Sequence, residues 1–297
     1  MPFSLTPTRV GVLMAFGAIF GWSLNFIFAR SLAGVVPPFT LSFMRICVAF
    51  IVLTPFAGKA FLQSWPVIRR RPVFYTFLGI VGLGYYNALV YLAGQTTSVI
   101  NMALLALSTP VFTLILSRIF LGEKLTKRRL FGIAAAVCGV TLLAARGDLA
   151  LLKTLSFHLG DLFMLIGAVF FASYNVSLSR LDPEVRGNTF IYTIVVVSII
   201  SLLPCVAIEA ALGLNFTLTP LAVTGIIYLG VVASLICYIF WNGAIARIGA
   251  GNVALLYYTM PLICGIEAVV LLGEPLRWYH FASGVLIIAG VLVATRK

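Results

Sequence analysis

Asparagine, tyrosine, tryptophan and serine recur at helical spacing inside the apolar runs of this chain. Asn87, Tyr91 and Gln95 stand at i, i+4 and i+8, so they share one helix face. Ser234, Tyr238 and Asn242 repeat that spacing, with Trp241 beside them. Asn101 and Ser108 are seven residues apart, as are Asn252 and Thr259, while Trp22 with Asn25 and Tyr174 with Asn175 form two further groups. Such side chains stack and hydrogen-bond. They lack the nucleophile–base pairing that covalent chemistry requires. Each taken singly has a second reading, as a bond between membrane helices or an anchor at the headgroup level. As a matched set they point to one shared cavity.

No catalytic residue is assigned. His158 and His280 fall at the edges of apolar runs, and the chain has no Ser/His/Asp set, no HExxH and no glycine-rich nucleotide loop. Its five cysteines all lie in apolar runs without CxxC spacing, so neither a disulfide nor a metal site is implied. The expectation is no enzyme, no metal and no cofactor.

Charged groups inside apolar runs are costly and become functional candidates by default. Glu267 lies about two turns before the end of its run and is read two ways, as a proton site or as a buried structural acid. Arg45 lies about two turns into its run, where it either pairs with a carboxylate or reaches back to the interface, as long side chains do. Pro110 and Pro261 each free a carbonyl about one turn earlier, making hinges or packing kinks. Glu123 and Glu274 follow glycines at run ends and suit capping and salt bridging.

The elements that must hold these residues follow from composition. Hydrophobic residues make up 62% and charged residues 9% of 297, far from the charged quarter of a soluble domain. Lipid is therefore the main partner. The formal charge of +12 comes from basic residues between apolar runs, so no nucleic acid is implied. Ten runs of spanning length fall at about 11–30, 38–57, 73–93, 98–120, 128–145, 160–180, 188–211, 220–245, 251–272 and 278–295. None alternates with period two, so the fold class is all-α membrane protein with ten transmembrane helices. With a cytoplasmic N-terminus, fourteen Lys and Arg fall inside and four outside, with Arg45 and Arg118 within spans. This places both termini of a multi-pass membrane protein in the cytoplasm.

Asn101–Glu123 and Asn252–Glu274 align without a gap at an offset of 151 residues, matching Pro110 to Pro261 and Gly122 to Gly273. Asn25 matches Asn175 at an offset of 150. The chain thus divides into a first five-helix repeat (1–146), a periplasmic linker (147–159) and a second five-helix repeat (160–297), all within one integral bundle. Because five is odd, the copies are inverted, as in secondary transporters whose sites lie between the repeats. A single chain suffices for that plan. Gly132, Ala136 and Gly139 permit close helix packing, within one chain or between copies.

These residues resemble the EamA unit of the drug/metabolite transporter superfamily. The resemblance is carried by Gly21–Phe26, Arg45, Asn101–Pro110 and Leu121–Leu125, and by Tyr174-Asn175, Asn252–Pro261 and Leu272–Leu276. It implies a central cavity, alternating access and a small-molecule substrate, with many bacterial members exporting amino acids or metabolites. The aromatic faces look most like the YddG-type aromatic amino-acid exporters within it. The expected function is export of aromatic or large neutral amino acids, or similar metabolites, across the inner membrane. The alternative is proton-coupled export of amphiphilic drugs through Glu267.

Overall fold

The computed structural model describes residues 6–97, 99–145, 147–148, 158–264, 266 and 277–295. Among them the regular structure is entirely helical. The helical segments are α1 (Pro7–Ser31), α2 (Pro38–Ile68), α3 (Pro72–Thr96), α4 (Val99–Ala106 and Ser108–Leu121), α5 (Lys127–Ala144), α6 (Leu159–Arg180), α7 (Gly187–Ala211), α8 (Pro220–Ile248), α9 (Ala250–Cys264) and α10 (Trp278–Thr295). Eight of these are long and apolar enough to cross a membrane, and α9 is a shorter apolar helix. α5 opens on Lys127, Arg128 and Arg129, which load its first turn with charge.

Helix starts follow local chemistry. Thr6, Thr126 and Thr219 accept from the amides of Arg9, Arg129 and Ala222, and proline opens α1, α2, α3 and α8, where its missing N–H costs nothing. α2 has Pro37 before it and no cap of its own. The buried Glu209 of α7 supplies one, accepting from the amides of Phe39 and Thr40 and from the Thr40 hydroxyl at 2.7–2.9 Å. α2 also runs eleven residues past the apolar run marked in the sequence, through Pro66. Lys59 ends the apolar pattern there without ending the helix.

The two repeats interleave. α1 packs on α8, α3 on α6, α2 on α7 and α5 on α10, so each of these pairs joins one repeat to the other. Exposed Phe56, Val73, Phe131 and Val285 face outward, as lipid-facing side chains do. Gly132 meets Gly290 and Ala294 across α5 and α10 so closely that an added Cβ would lie 2.5 Å from the Gly290 carbonyl. The small residues of α5 thus serve packing within one chain.

Two matched departures from α-helical winding face the middle of the bundle. α3 carries a π-helical turn at Ile80–Gly84 and α8 a longer one at Leu229–Ile236. Such turns widen a helix and leave carbonyls to be satisfied, a requirement that lipid makes strict. Side chains meet it. Ser198 donates to Gly79 O and Ser42 to Gly84 O, Tyr238 donates to Gly82 O, and Asn87 to Leu83 O. On α8, Ser234 donates to Leu229 O and the Trp22 indole to Ala233 O.

Candidate functional site

Arg45 lies on α2 between these two π-helical turns. Its exposure is 0%, so it does not reach back to the interface as a snorkelling side chain would. Three other helices bring acceptors to it. Nε donates to Ser234 Oγ of α8 at 2.8 Å. Nη1 donates to Asn25 Oδ1 of α1 at 3.2 Å, to Asn87 Oδ1 of α3 at 2.9 Å, and to the Tyr91 hydroxyl. Tyr91 in turn donates to Asn25 Oδ1 at 3.3 Å, and its ring lies 5.8 Å from the guanidinium carbon. Every one of these partners is neutral. The sequence marked Asn25, Asn87 and Tyr91 as candidates, and the fold gathers them on an arginine left outside that set. The signal for Arg45 was its charge at membrane depth.

Beside this polar centre stands a cluster of rings. Phe171 of α6 stacks on Tyr86, Tyr174 and Trp241 at centroid distances of 4.8, 5.9 and 5.8 Å. Trp22 meets Phe171 edge-on at 5.5 Å and Tyr238 at 5.4 Å. Such pairs add about 0.5–1.5 kcal/mol each beyond burial. The polar tips are also engaged, since Trp241 Nε1 donates to Asn175 Oδ1 at 2.8 Å and the Tyr174 hydroxyl to Asn242 Oδ1 at 2.9 Å. Phe171, the hub, was missed by sequence reasoning because a phenylalanine in an apolar run carries no mark that separates it from a lipid-facing one. Gly82 permits the cluster's approach to α3, as an added Cβ would sit 2.1 Å from the Tyr174 ring.

Asn242 also lines a cavity of about 600 Å³. That cavity opens where α4, α6 and α8 end, between Met14, Phe190 and Ile239, with Arg186 and Arg247 at its lining. A second cavity of about 760 Å³ lies at the other end of the bundle, between the start of α2 and the end of α7, and includes Gln95 and Glu209. Arg45 lines neither cavity. The polar centre is closed from both ends by packed side chains.

Asn252, Ser108 and Thr259 take partners other than Arg45. Asn252 accepts from Arg129 at 3.0 Å and donates to Ile248 O, beside the Glu123–Arg129 ion pair of 3.3 Å. Glu123 therefore bridges to α5 and not to the adjacent Lys124. Asn101 is buried on the first part of α4. Ser108 and Thr259 spend their hydroxyls on Leu105 O and Leu256 O of their own helices. Both prolines coincide with irregular winding about one turn earlier. α4 breaks at Leu107 before Pro110, and α9 tightens to a 3₁₀ turn at Tyr257–Thr259 before Pro261. Glu267 and Glu274 lie outside the described residues. No cluster of three or more potential metal ligands occurs among the described residues.

Comparison with known proteins agrees with this architecture. The EamA-like transporter family matches residues 9–145 and again residues 158–296. A Bacillus subtilis protein named "Uncharacterized transporter YyaM" is 33% identical over 77% of this chain and 74% of its own length. A "Probable terminal-alkyne amino-acid exporter" of Streptantibioticus cattleyicolor is 28% identical, covering 86% of this chain and 84% of the relative. A "Probable amino-acid metabolite efflux pump" of Salmonella typhimurium is 26% identical, with coverages of 92% and 90%. One solved crystal structure superposes with a TM-score of 0.74 over 96% of both chains at 20% identity, a likeness of fold alone. Matched once in each half and along most of its length, the chain belongs to the EamA-like transporter family.

Proposed function

We propose that this protein exports amino acids, aromatic or large neutral ones foremost, or similar small metabolites, by alternating access across a bacterial inner membrane. The observation that carries this reading is the contact between two unlike environments deep in the bundle. A cluster of rings from α1, α3, α6 and α8 abuts a polar centre on Arg45, and each draws on both repeats. An apolar side chain and a charged head group need that pairing within one molecule's reach. Two relatives whose printed names include amino-acid export or efflux support the substrate class.

In this reading the chain spans the membrane ten times with both termini in the cytoplasm, as two inverted five-helix repeats. The cavity ending on Asn242 is the cytoplasmic vestibule, and the cavity beside Gln95 and Glu209 faces the periplasm. Trp22, Tyr91, Tyr174, Tyr238 and Trp241 enclose the side chain, while Asn25, Asn87, Asn175 and Asn242 bond to the polar end. Asn101, Ser108, Asn252 and Thr259 line the path on α4 and α9. The breaks before Pro110 and Pro261, with the two π-helical turns, are where the helices bend between inward- and outward-open states. One protomer is sufficient for transport.

The test is uptake of radiolabelled amino acids into proteoliposomes, with and without an imposed pH gradient. Saturable flux of Phe, Tyr or Trp is expected without a gradient. Flux only under a gradient, abolished by Glu267→Gln, would favour the proton-coupled alternative. Absence of amino-acid flux in both conditions would remove this substrate class.

A further inference from the structure

We infer that Arg45 is the receptor for a carboxylate of the transported molecule, so that the substrates of this protein are carboxylic acids. This rests on the transporter reading above and names the group that its polar centre binds.

A guanidinium removed from water, with no counter-ion, carries an electrostatic cost that neutral hydrogen bonds only partly offset. Among the described residues no carboxylate pairs with Arg45, which is in that position. Its partners Asn25, Asn87, Tyr91 and Ser234 are uncharged. The buried carboxylates among the described residues are committed elsewhere, Asp161 to Thr97 and the His158 amide, and Glu209 to Phe39 and Thr40. Asp182 and Glu123 pair with Arg71 and Arg129 at helix ends. The four bonds use Nε and Nη1 alone, and Nη2 takes part in none of them. A carboxylate is the ligand that answers both facts. It brings the missing charge, and it takes two parallel N–H bonds from a guanidinium face.

The repeat separates this role from a purely structural one. Asn25 and Asn175 are equivalent positions, and each accepts from an aromatic residue on the helix it faces. Tyr91 donates to Asn25, and Trp241 donates to Asn175. The second-half bond forms with no cation, because the position equivalent to Arg45 falls at about Val195. The packing plan of one repeat therefore works without an arginine, and only one half keeps it. Arg45 also stands where both π-helical turns converge, through Ser234 on α8 and Ser42 with Gly84 on α3. A ligand that took over its N–H groups would release Asn25, Asn87 and Ser234 together, loosening α1, α3 and α8 from α2 in one event.

The experiment compares matched pairs on the purified full-length protein in detergent, by titration calorimetry and thermal unfolding. The pairs are phenylalanine with phenylalaninamide and leucine with leucinamide, each differing in the carboxylate alone. The acid is expected to bind at least fivefold more tightly than its amide in at least one pair, and Arg45→Gln to abolish that difference. A smaller difference in wild type overturns the proposal while leaving the aromatic reading standing if both phenyl compounds bind. Preference for leucine over leucinamide with no binding of either phenyl compound upholds Arg45 and removes the aromatic reading. No binding of either acid at millimolar concentration overturns the proposal, as does an Arg45→Gln protein that keeps the wild-type preference. Should Arg45→Gln fail to fold, the wild-type pairs decide alone.

Discussion

The hydroxyl of Tyr174 on α6 donates to Asn242 Oδ1 on α8 across 2.9 Å, and Asn242 at the same time lines the cavity of about 600 Å³. This bond stands between the cavity and the ring cluster. Removing it with Tyr174→Phe keeps the ring on Gly82 and Phe171 and deletes one neutral hydrogen bond, a loss of about 1 kcal/mol. We expect faster substrate exchange in proteoliposomes with folded yield retained. An exchange rate equal to wild type would remove this bond from the path.

Trp241 is fully buried, bonded to Asn175 and packed on Trp22, Phe171 and Tyr257. Trp241→Ala opens a cavity whose cost is about 3–5 kcal/mol, so lost transport in that variant would mix folding with function. Trp241→Phe keeps most ring contact and leaves Asn175 Oδ1 without its donor. Its expected signature is reduced amino-acid flux in a protein that elutes as wild type on gel filtration. Wild-type flux would place Trp241 outside the site.

Glu209 stands in for the cap that Pro37 cannot give to α2. With three donors aimed at one carboxylate, Glu209→Ala leaves the buried amide and hydroxyl of Thr40 and the part-buried amide of Phe39 unsatisfied. Each such group costs about 1–3 kcal/mol, and thermal unfolding in detergent should report a clear drop in Tm. Glu209→Gln keeps an acceptor and should lose less. Equal melting of all three proteins would show that water caps this end.

Gly132 and Gly290 bring the backbones of α5 and α10 together. Gly132→Val drives a side chain into the opposing carbonyl, where overpacking costs about 1–3 kcal/mol. Lower folded yield with an unchanged oligomeric state is the expected result on gel filtration with light scattering. Full yield with a change in oligomeric state would assign this face to a contact between copies.

Orientation can be read with a membrane-impermeant thiol reagent in a background lacking the five native cysteines. Gln95→Cys at one cavity should label in intact cells, and Asn242→Cys at the other only after the membrane is opened. The reverse pattern would invert the topology.

Much of this fold was legible because its causes are local. Runs of apolar residues long enough for a bilayer, proline and threonine at helix starts, and charge between the runs depend on neighbours in sequence. The described helices begin within a few residues of the runs marked from them. The duplicated segments were equally visible, since Asn101–Pro110 and Asn252–Pro261 share Asn, Ala-Leu-Leu and Pro at the same places. The site was legible only in part. Asn25, Asn87 and Tyr91 could be named as polar groups at membrane depth, but Asn252 carried the same signal and bonds to Arg129 and Ile248 instead.

What only the tertiary structure decided was which side chains meet. A long arginine reaches water from a helix about as readily as it turns inward, and its own helix does not settle the choice. Acceptors on α1, α3 and α8 hold Arg45 in the interior, and these come from positions 20 to 189 residues away. Phe171 became the hub of the ring cluster because helices from both repeats surround it, whereas Phe131 and Phe281, alike in sequence, face outward. The sequence by itself determined which segments enter the membrane, through free energies that depend on each segment's own composition. The positions of charge, ring and glycine relative to one another were settled by contacts between segments, where lipid offers no hydrogen bonds and a buried polar group must find its partner within the protein.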